Sequence, residues 1–282
     1  MFSDVLLTVD YDRTLTAPDS TIPKKNLDAI RYFMDHGGTF TVNTGRSIPM
    51  IKIFRDIVPV NAPLLLYNGS AAYDLKTESM LFCHEIQEDP WEIARTCMEK
   101  FPDLTFEVQG LDAHYRFTEN PMWDALSDNG HCARAFAEPG HVFDPFLKFS
   151  LYGTIRTDRI SDMFDGTEEE KAQMTEVENQ LKAMYGDRME VFRAAARIID
   201  VHAKGVSKMR SARELKEKLR KKILVCIGDG ENDVSMLDGA DFAFCPSDAV
   251  VADRYPNVCK CGDGAVADVI YHKIPKIISE FP

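Results

Sequence analysis

Two pairs of acidic residues, far apart in the chain, each follow an apolar run. Asp10 and Asp12 come after an apolar run near the start of the chain, and Asp229 and Asp233 follow a second run that ends at Ile227. Such runs predict buried strands of a parallel sheet, and α/β proteins bind ligands at the carboxyl edge of such a sheet. Crowded carboxylates raise each other's pKa unless a cation neutralises them, so the four acids predict a metal site.

The ligand type indicates which metal and which chemistry to expect. Carboxylate oxygens favour a hard cation, and Mg²⁺ is the leading choice. Carboxylates, a hard cation and a sheet edge suit phosphoryl chemistry, in which the metal offsets charge and a carboxylate can serve as the nucleophile. Taken alone, Asp10 and Asp12 are explained equally well as turn formers at the end of a strand.

Two further segments carry groups that bind anions. Thr44 and Gly45 lie between a β-rich run and a helical pattern, so a hydroxyl and a flexible backbone are expected beside a helix N-terminus. Lys208 opens another predicted helix, where its ammonium can reach a phosphoryl oxygen as a point charge.

Taken in order, these segments resemble the four motifs of the haloacid dehalogenase-like superfamily, and in particular of its Cof-type sugar phosphatases. The motifs are Asp-x-Asp-x-Thr from residue 10, Thr-Gly-Arg from 44, Gly-Val-Ser-Lys from 205 and Gly-Asp-Gly-Glu-Asn-Asp from 228. The resemblance covers residues 1–83 and 200–282. The segment between them matches the family only in length and in its alternation of helices and strands.

The resemblance implies a role for each site residue. Asp10 is the expected nucleophile, which forms an aspartyl-phosphate, and Asp12 is the expected general acid and base. The expected Mg²⁺ ligands are Asp10, the backbone carbonyl of Asp12 and Asp229, with Asp233 in support from the outer shell. The groups expected at the phosphate are Thr44, the Gly45 amide, Lys208 and Asn232, the last either beside the substrate or orienting Lys208.

The sequence departs from the family pattern at three places. Arg13 and Met209 stand where the family usually has glycine, and the loop at residues 244–249 lacks the usual Gly-Asn-Ala. Position 13 is a variable position of the first motif, so the chemistry should survive. A long cation beside the nucleophile can alter the choice of substrate.

The predicted fold class is α/β, with a Rossmann-like parallel-sheet core interrupted by an inserted α/β cap domain. The core is expected at residues 1–84 and 201–282, and the cap, which selects the substrate, at 85–200. In the first core segment the pattern predicts strands at 4–10, 39–43 and 63–67 and helices at about 24–36 and 47–57. In the cap it predicts helices at 89–100, near 121–126 and at 168–185, a loop at 157–166, and strands at 104–108, 113–117, 146–152, 188–193 and 196–201.

Composition restricts the partners and the compartment. The formal net charge of −12 over 282 residues argues against nucleic-acid binding. No apolar run approaches the roughly 20 residues that span a bilayer, so no membrane role is expected. Seven scattered cysteines lack the paired spacing of a zinc site, and an odd number without a signal peptide indicates a reducing cytoplasm. The sequence says nothing about oligomeric state.

The leading hypothesis is a phosphatase that acts on a small phosphorylated metabolite, with sugar phosphates as the family expectation. A phosphosugar mutase of the same superfamily would use the same four motifs but return the phosphoryl group to the sugar. A phospho-ligand sensor without turnover would keep the pocket and lose the nucleophile or the acid. Because Asp10 and Asp12 are both present, the enzyme is favoured over the sensor.

Overall fold

The computed structural model describes residues 1–119, 132–153 and 166–280, without the side chains of residues 52–54. The chain divides into two compact units. Unit 1 comprises Met1–Gly45, Phe54–Phe82 and Ser207–Pro282, and unit 2 comprises Arg46–Ile53 and Cys83–Val206. Residues 46–53, expected with the rest of 1–84, thus group with the inserted segment.

The strands of unit 1 form two sheets. The first sheet, in the order β14-β13-β12-β1-β2, is parallel throughout. Its strands are β1 (Val5–Val9), β2 (Thr39–Val42), β12 (Ile223–Ile227), β13 (Phe242–Pro246) and β14 (Asn257–Val258). A second sheet joins β3 (Leu64–Leu66), β4 (Ala71–Asp74) and β5 (Ser79–Cys83) in that order.

Strand β1 has a neighbour on each side, and all five of its residues are buried. A strand covered on both faces reads as a continuous apolar run, which explains the first motif's lead-in. Val9 pairs with Ile227 on β12 and with Val42 on β2. The residues that follow these three strands therefore emerge at one edge of the sheet.

The helices alternate with the strands. They are α1 (Lys24–Asp35), α2 (Lys52–Ile57), α3 (Pro90–Lys100), α4 (Glu168–Tyr185), α5 (Lys208–Lys218), α6 (Val234–Asp238), α7 (Ala265–Asp268) and α8 (Ile274–Glu280). The α/β class with a parallel sheet is confirmed. Within the described residues, no helix is both long and apolar enough to cross a membrane.

Unit 2 contains one six-stranded sheet, in the order β10-β11-β9-β6-β7-β8. Its strands are β6 (Thr105–Gln109), β7 (His114–Arg116), β8 (Arg134–Phe136), β9 (Lys148–Tyr152), β10 (Met189–Ala195) and β11 (Ile198–Ala203). Among the described strands of this sheet, every pairing is antiparallel except that of β7 with β8.

The two faces of this sheet differ in polarity because side chains alternate along each strand. Phe106, Phe149 and Val201 lie on the apolar face, in one core cluster with side chains of α3 and α4. Residues paired across the strands form the opposite face, called here the polar sheet face: Glu107, Gln109, His114, Lys148, Ser150, Tyr152, Asp200 and His202. All eight side chains are buried.

Several sequence predictions differ from the structure. The helix expected at 47–57 is a 3₁₀ turn at Ile48–Met50 followed by α2, because the chain leaves the α-helical conformation between them, where Ile51 has a ψ of −2°. The loop expected at 244–249 begins inside β13, and β4, β5 and β8 were not predicted. The helix near 121–126 and most of the loop at 157–166 lie outside the described residues.

Candidate active site

The first motif begins where β1 ends. The Asp10 amide donates to the Ile227 carbonyl at 2.9 Å, which extends the pairing with β12 by one residue. A wide turn follows at Tyr11–Leu15, in which Arg13 has the left-handed φ of 60°. Glycine reaches this conformation without strain, so an arginine there is held by its surroundings. The half-buried Asp12 lies in the same turn.

Three carboxylates converge at this edge. Asp10, Asp229 and Asp233 each offer a carboxylate oxygen within 4.8 Å of the other two. The Thr14 hydroxyl donates to Asp229 Oδ1 at 2.8 Å. Asp233 Oδ2 accepts hydrogen bonds from the backbone amides of Asp229 and Gly230, both at 3.0 Å. The two acid-bearing strand ends are thus tied together.

Lys208 lies among these acids and is only 1% exposed. Its Nζ lies 2.5 Å from Asp10 Oδ1 and 2.6 Å from Asp233 Oδ1. Asp233 therefore has one oxygen on the lysine and the other on two amides. With both of its oxygens engaged, Asp233 can orient the Lys208 ammonium and the backbone at Asp229.

The charges in the cluster do not balance. Burial raises the pKa of Asp10 well above its usual value, and Asp233 and Asp229 add to the rise although Lys208 opposes it. Burial and Asp233 raise the pKa of Asp229 to about 7. Burial alone would lower the pKa of Lys208, but Asp10 and Asp233 raise it, so the ammonium stays charged.

This donor set fits a hard divalent cation. The cluster offers oxygen ligands only, and one lysine does not offset three carboxylates. A cation would relieve the repulsion that raises the pKa of Asp10 and of Asp229. Asp10 and Asp229 are the residues that could hold it, since Asp233 is already committed to the lysine and the amides.

Thr44 and Gly45 follow β2 at the same edge of the sheet. The preceding residue, Asn43, donates its amide to the Val9 carbonyl at 2.8 Å, beside the end of β1. Thr44 is buried, and its amide donates to the Leu65 carbonyl at 2.9 Å. A Cβ at Gly45 would lie 2.9 Å from the Asn68 side-chain oxygen, so any other residue there would displace the Asn68 side chain.

Two residues that support the lysine were missed by the sequence reasoning. The side-chain amide of Asn43 donates to the Lys208 carbonyl at 2.8 Å and fixes the start of α5. Gly69 has a φ of 100°, and a Cβ there would lie 2.7 Å from Ser211 Oγ and closer still to the Ser207 carbonyl oxygen. A polar residue at the end of a buried strand was the available signal for Asn43; Gly69 gave only a turn signal.

The remaining motif residues have other surroundings. Among the described residues, no hydrogen bond joins Asn232 to Lys208, whose Nζ donates to Asp10 and Asp233 instead. Met209 is buried in the apolar cluster beneath α5, where the family has glycine. Directly after the loop at 244–249, the Val250 amide donates to the Asp229 carbonyl at 2.9 Å, and this hydrogen bond anchors the backbone of Asp229.

The fold and this site define a class of enzyme. Residues 7–252 match the family model of haloacid dehalogenase-like hydrolases, so the chain belongs to that family. The predicted family and the prediction of a hydrolytic enzyme are confirmed.

Individual relatives are more distant. The chain is 25% identical over 242 residues to a Haemophilus influenzae protein provisionally named a phosphatase, with 82% of this chain and 80% of that protein covered. It is 21% identical over 246 residues to the 5-amino-6-(5-phospho-D-ribitylamino)uracil phosphatase of Bacillus subtilis, covering 83% of each.

Solved structures share the fold. A haloacid dehalogenase-like hydrolase from Bacillus subtilis superposes with a TM-score of 0.76 at 16% identity, over 95% of this chain and 99% of that one. A subclass IIB sugar phosphatase of the superfamily superposes with a TM-score of 0.70 at 19% identity, over 95% and 98%. At these identities the likeness shows the fold alone.

Proposed function

We propose that the protein is a Mg²⁺-dependent phosphatase that hydrolyses small phosphate monoesters, sugar phosphates in particular, through an aspartyl-phosphate on Asp10. The observation that carries the proposal is the contact of Asp10 with Lys208 inside a buried cluster of acids whose charge is not balanced. A nucleophile, a cation for the phosphoryl oxygens and a place for a metal are then within one site.

In the first half-reaction a carboxylate oxygen of Asp10 forms a bond to phosphorus, and the ester P–O bond breaks. Asp12 gives its proton to the departing alcohol. Asp12, now a carboxylate, then takes a proton from water, whose oxygen bonds to phosphorus as the bond to Asp10 breaks. Inorganic phosphate leaves, and Asp10 and Asp12 return to their starting states. The half-buried position of Asp12 suits contact with both the alcohol and water.

The phosphoryl oxygens are held by groups at the ends of β2 and at the start of α5. Lys208 supplies positive charge, and because Asp233 holds its Nζ, little reorganisation is needed when charge develops. The Thr44 hydroxyl and the Gly45 amide supply hydrogen bonds. Asn232 is assigned to the substrate side. Mg²⁺, held by Asp10, Asp229 and the Asp12 carbonyl with Asp233 behind them, would offset charge on the transferring group.

The proposed substrate class rests on the relatives and on the insert. One relative is named for a substrate with a phosphorylated ribityl chain, and one structural neighbour is named a sugar phosphatase. Both named substrates carry a phosphate group on a polyhydroxylated carbon chain. We assign the choice among such esters to the segment at 85–200, acting as the cap, because the core motifs supply the chemistry common to them.

The test is release of inorganic phosphate from a panel of sugar, nucleotide and cofactor monoesters, with and without Mg²⁺, for the wild type and Asp10→Asn. Release from sugar phosphates that needs Mg²⁺ and Asp10 supports the proposal. Isomerised sugar phosphate without free phosphate would indicate the mutase. Tight binding of the esters with neither product would indicate the sensor.

A further inference from the structure

Polar contacts run along the polar sheet face of unit 2 and end on Ser47, the residue that follows the Thr-Gly-Arg motif. His114 Nε2 lies 2.6 Å from Ser47 Oγ, and His114 Nδ1 lies 3.0 Å from Glu107 Oε1. The Tyr152 hydroxyl donates to the same Glu107 oxygen at 3.0 Å, and Gln109 Nε2 donates to the Tyr152 oxygen at 3.0 Å. The outermost contact of this series is the one to Ser47.

All three groups at this end are removed from water. Ser47 and Glu107 have no exposed area, and His114 is 3% exposed. Burial alone would raise the pKa of Glu107, but His114, Arg134 and the Tyr152 hydroxyl hold it at about 2. The Glu107 carboxylate beside Nδ1 orients the imidazole ring so that Nε2 lies against the Ser47 hydroxyl.

The Ser47 hydroxyl does not make the hydrogen bond that a serine in its position usually makes. Ser47 directly precedes the 3₁₀ turn at Ile48–Met50, yet its side chain makes no capping hydrogen bond to that turn. A serine before a helical turn ordinarily accepts a backbone N–H. Here the hydroxyl is committed to His114, a residue 67 positions further along the chain.

Ser47 lies two residues beyond Gly45, and the boundary between the two units falls between them, after Gly45. The segment that offers the Thr44 hydroxyl and the Gly45 amide is therefore fixed at one end by the pairing of Asn43 with Val9. At its other end Ser47 is fixed by His114. The contact with His114 restricts the backbone of Ser47, which lies only two residues from Gly45.

We propose that His114, held by Glu107, is a positioning residue for the phosphate-binding segment at 44–47 and acts through Ser47. The inference rests on the proposed function for the role of that segment in holding phosphate. Thr44 and Gly45 would contact the phosphoryl oxygens in both the bound ester and the transition state. Loss of the anchor should therefore weaken binding more than turnover.

The mildest test variant is Ser47→Ala, with Ser150→Ala as its matched control. Both serines are fully buried in unit 2, and Ser150 Oγ donates to Asp200 Oδ1 at 2.7 Å, away from the phosphate-binding segment. Both changes remove a buried hydroxyl group, but Ser150 loses two hydrogen bonds, since its oxygen also accepts from Gln109 Nε2 at 3.2 Å. We therefore expect Ser150→Ala to lose at least as much stability as Ser47→Ala.

Three measurements are made on each variant: KM and kcat for p-nitrophenyl phosphate, the inhibition constant of inorganic phosphate, and hydrogen exchange of the amides from residue 43 to 51. For Ser47→Ala, KM and the inhibition constant should rise about three- to tenfold with kcat within about twofold, since one hydrogen bond is lost. Its amides should exchange faster. Ser47→Thr should restore all three, and His114→Ala added to Ser47→Ala should have no further effect on the inhibition constant.

Equal inhibition constants and equal exchange in Ser47→Ala and Ser150→Ala would overturn the inference. An additive effect of His114→Ala would also overturn it, since the two residues would then act separately. If the wild type released no phosphate from any ester, the proposed function would fail. The exchange comparison would still decide whether His114 holds the segment.

Discussion

The pKa values of two buried acids in this molecule are shifted in opposite directions. Asp10 in unit 1 has a pKa raised well above its usual value, whereas the pKa of Glu107 in unit 2 is lowered to about 2. Both side chains are almost wholly removed from water, at 7% and 0% exposure. Burial alone therefore does not decide the charge of a carboxyl group in this protein.

The difference lies in the partners. Asp10 shares Lys208 with Asp233 and lies close to Asp229, so acids outnumber the cation. Glu107 has His114 and Arg134 beside it, and on the same face Asp200 has Lys148 at 2.6 Å. A balanced buried cluster is complete as it stands, whereas an unbalanced one is stabilised by binding something positive. Functional groups are expected in the second kind.

The comparison predicts its largest effect at Asp10. Asp10→Asn keeps the size of the side chain and removes the proposed nucleophilic oxygen, so kcat for phosphate release should fall at least about a thousandfold. Asp19→Asn is the matched control, because Asp19 is an exposed acid of unit 1 that accepts hydrogen bonds from Thr21 only locally. Substantial activity in Asp10→Asn would rule out the aspartyl-phosphate.

Two buried lysines provide the next test. Lys208→Met should lower the rate about 10²- to 10³-fold, because the phosphoryl oxygens lose their cation. Lys148→Met removes the ion pair between Lys148 and the buried Asp200 and should cost about 3–5 kcal/mol in the free energy of unfolding. Its kcat for p-nitrophenyl phosphate should stay close to that of the wild type. Steady-state kinetics and urea denaturation of both variants separate the two effects.

A second lysine near the motif serves as a control for Lys208. Lys204 is exposed and donates to the Gly186 carbonyl at 2.6 Å, so Lys204→Ala should be nearly silent in rate. A larger rate effect at Lys204 than at Lys208 would show that the third motif is assigned to the wrong residue.

The metal hypothesis is tested with Asp229 and Glu231. A chelator should abolish phosphate release, and Asp229→Ala should raise the Mg²⁺ concentration needed for half-maximal rate at least about tenfold. Glu231→Ala should leave it unchanged, because Glu231 is exposed and pairs with Arg254 at 3.1 Å. Equal shifts in the Mg²⁺ titrations of the two variants would contradict the assignment of Asp229 as a ligand.

The smallest predicted effect concerns stability against pH. Burial and the nearby Lys148 lower the pKa of His202 to about 3, although Asp200 opposes the shift. The unfolded chain takes up this proton below about pH 6.5 while the folded chain does not, so stability falls by up to about 1.4 kcal/mol per pH unit from pH 6.5 towards pH 3. His202→Gln should flatten this slope in urea denaturation between pH 6.5 and 5. An unchanged slope would mean that His202 is protonated in the fold.

Glu107 adds to the same loss at lower pH. Its pKa is lowered from 4.5 to about 2, so its contribution is complete above about pH 4.5 and disappears as the pH falls towards 2. The restricted pH window keeps the two groups apart in the experiment.

The sequence predicted well those helices and strands whose bounds depend on interactions between residues close together in the chain. The helix at 168–185 was placed at the bounds that the structure gives, and its start is fixed by reciprocal hydrogen bonds between Thr167 and Glu170. The strand β4 was missed because Ala71 and Ala72 have low strand propensity. Its position depends on pairing with β3.

The same limit applies to the site. Convergence of the acids after β1 and β12 could be predicted, because neighbouring parallel strands end at one edge. The contact of Ser47 with His114 could not, since it joins residues far apart in sequence and His114 reads only as one polar residue in an alternating strand. The lowered pKa of Glu107 was also hidden, because it follows from which charges become its neighbours in the fold.

Gly69 has a consequence for how variation in this chain would be interpreted. Any side chain there would be forced into a left-handed backbone and against the Ser207 carbonyl, one residue before the site lysine. A mutational scan would therefore rank position 69 with the aspartates proposed to be catalytic, although glycine has no side chain that could bind or react. A scan of tolerated substitutions would therefore detect positions that support the backbone of the site together with positions whose side chains act in it. Only kinetics on folded variants would distinguish these two kinds of position.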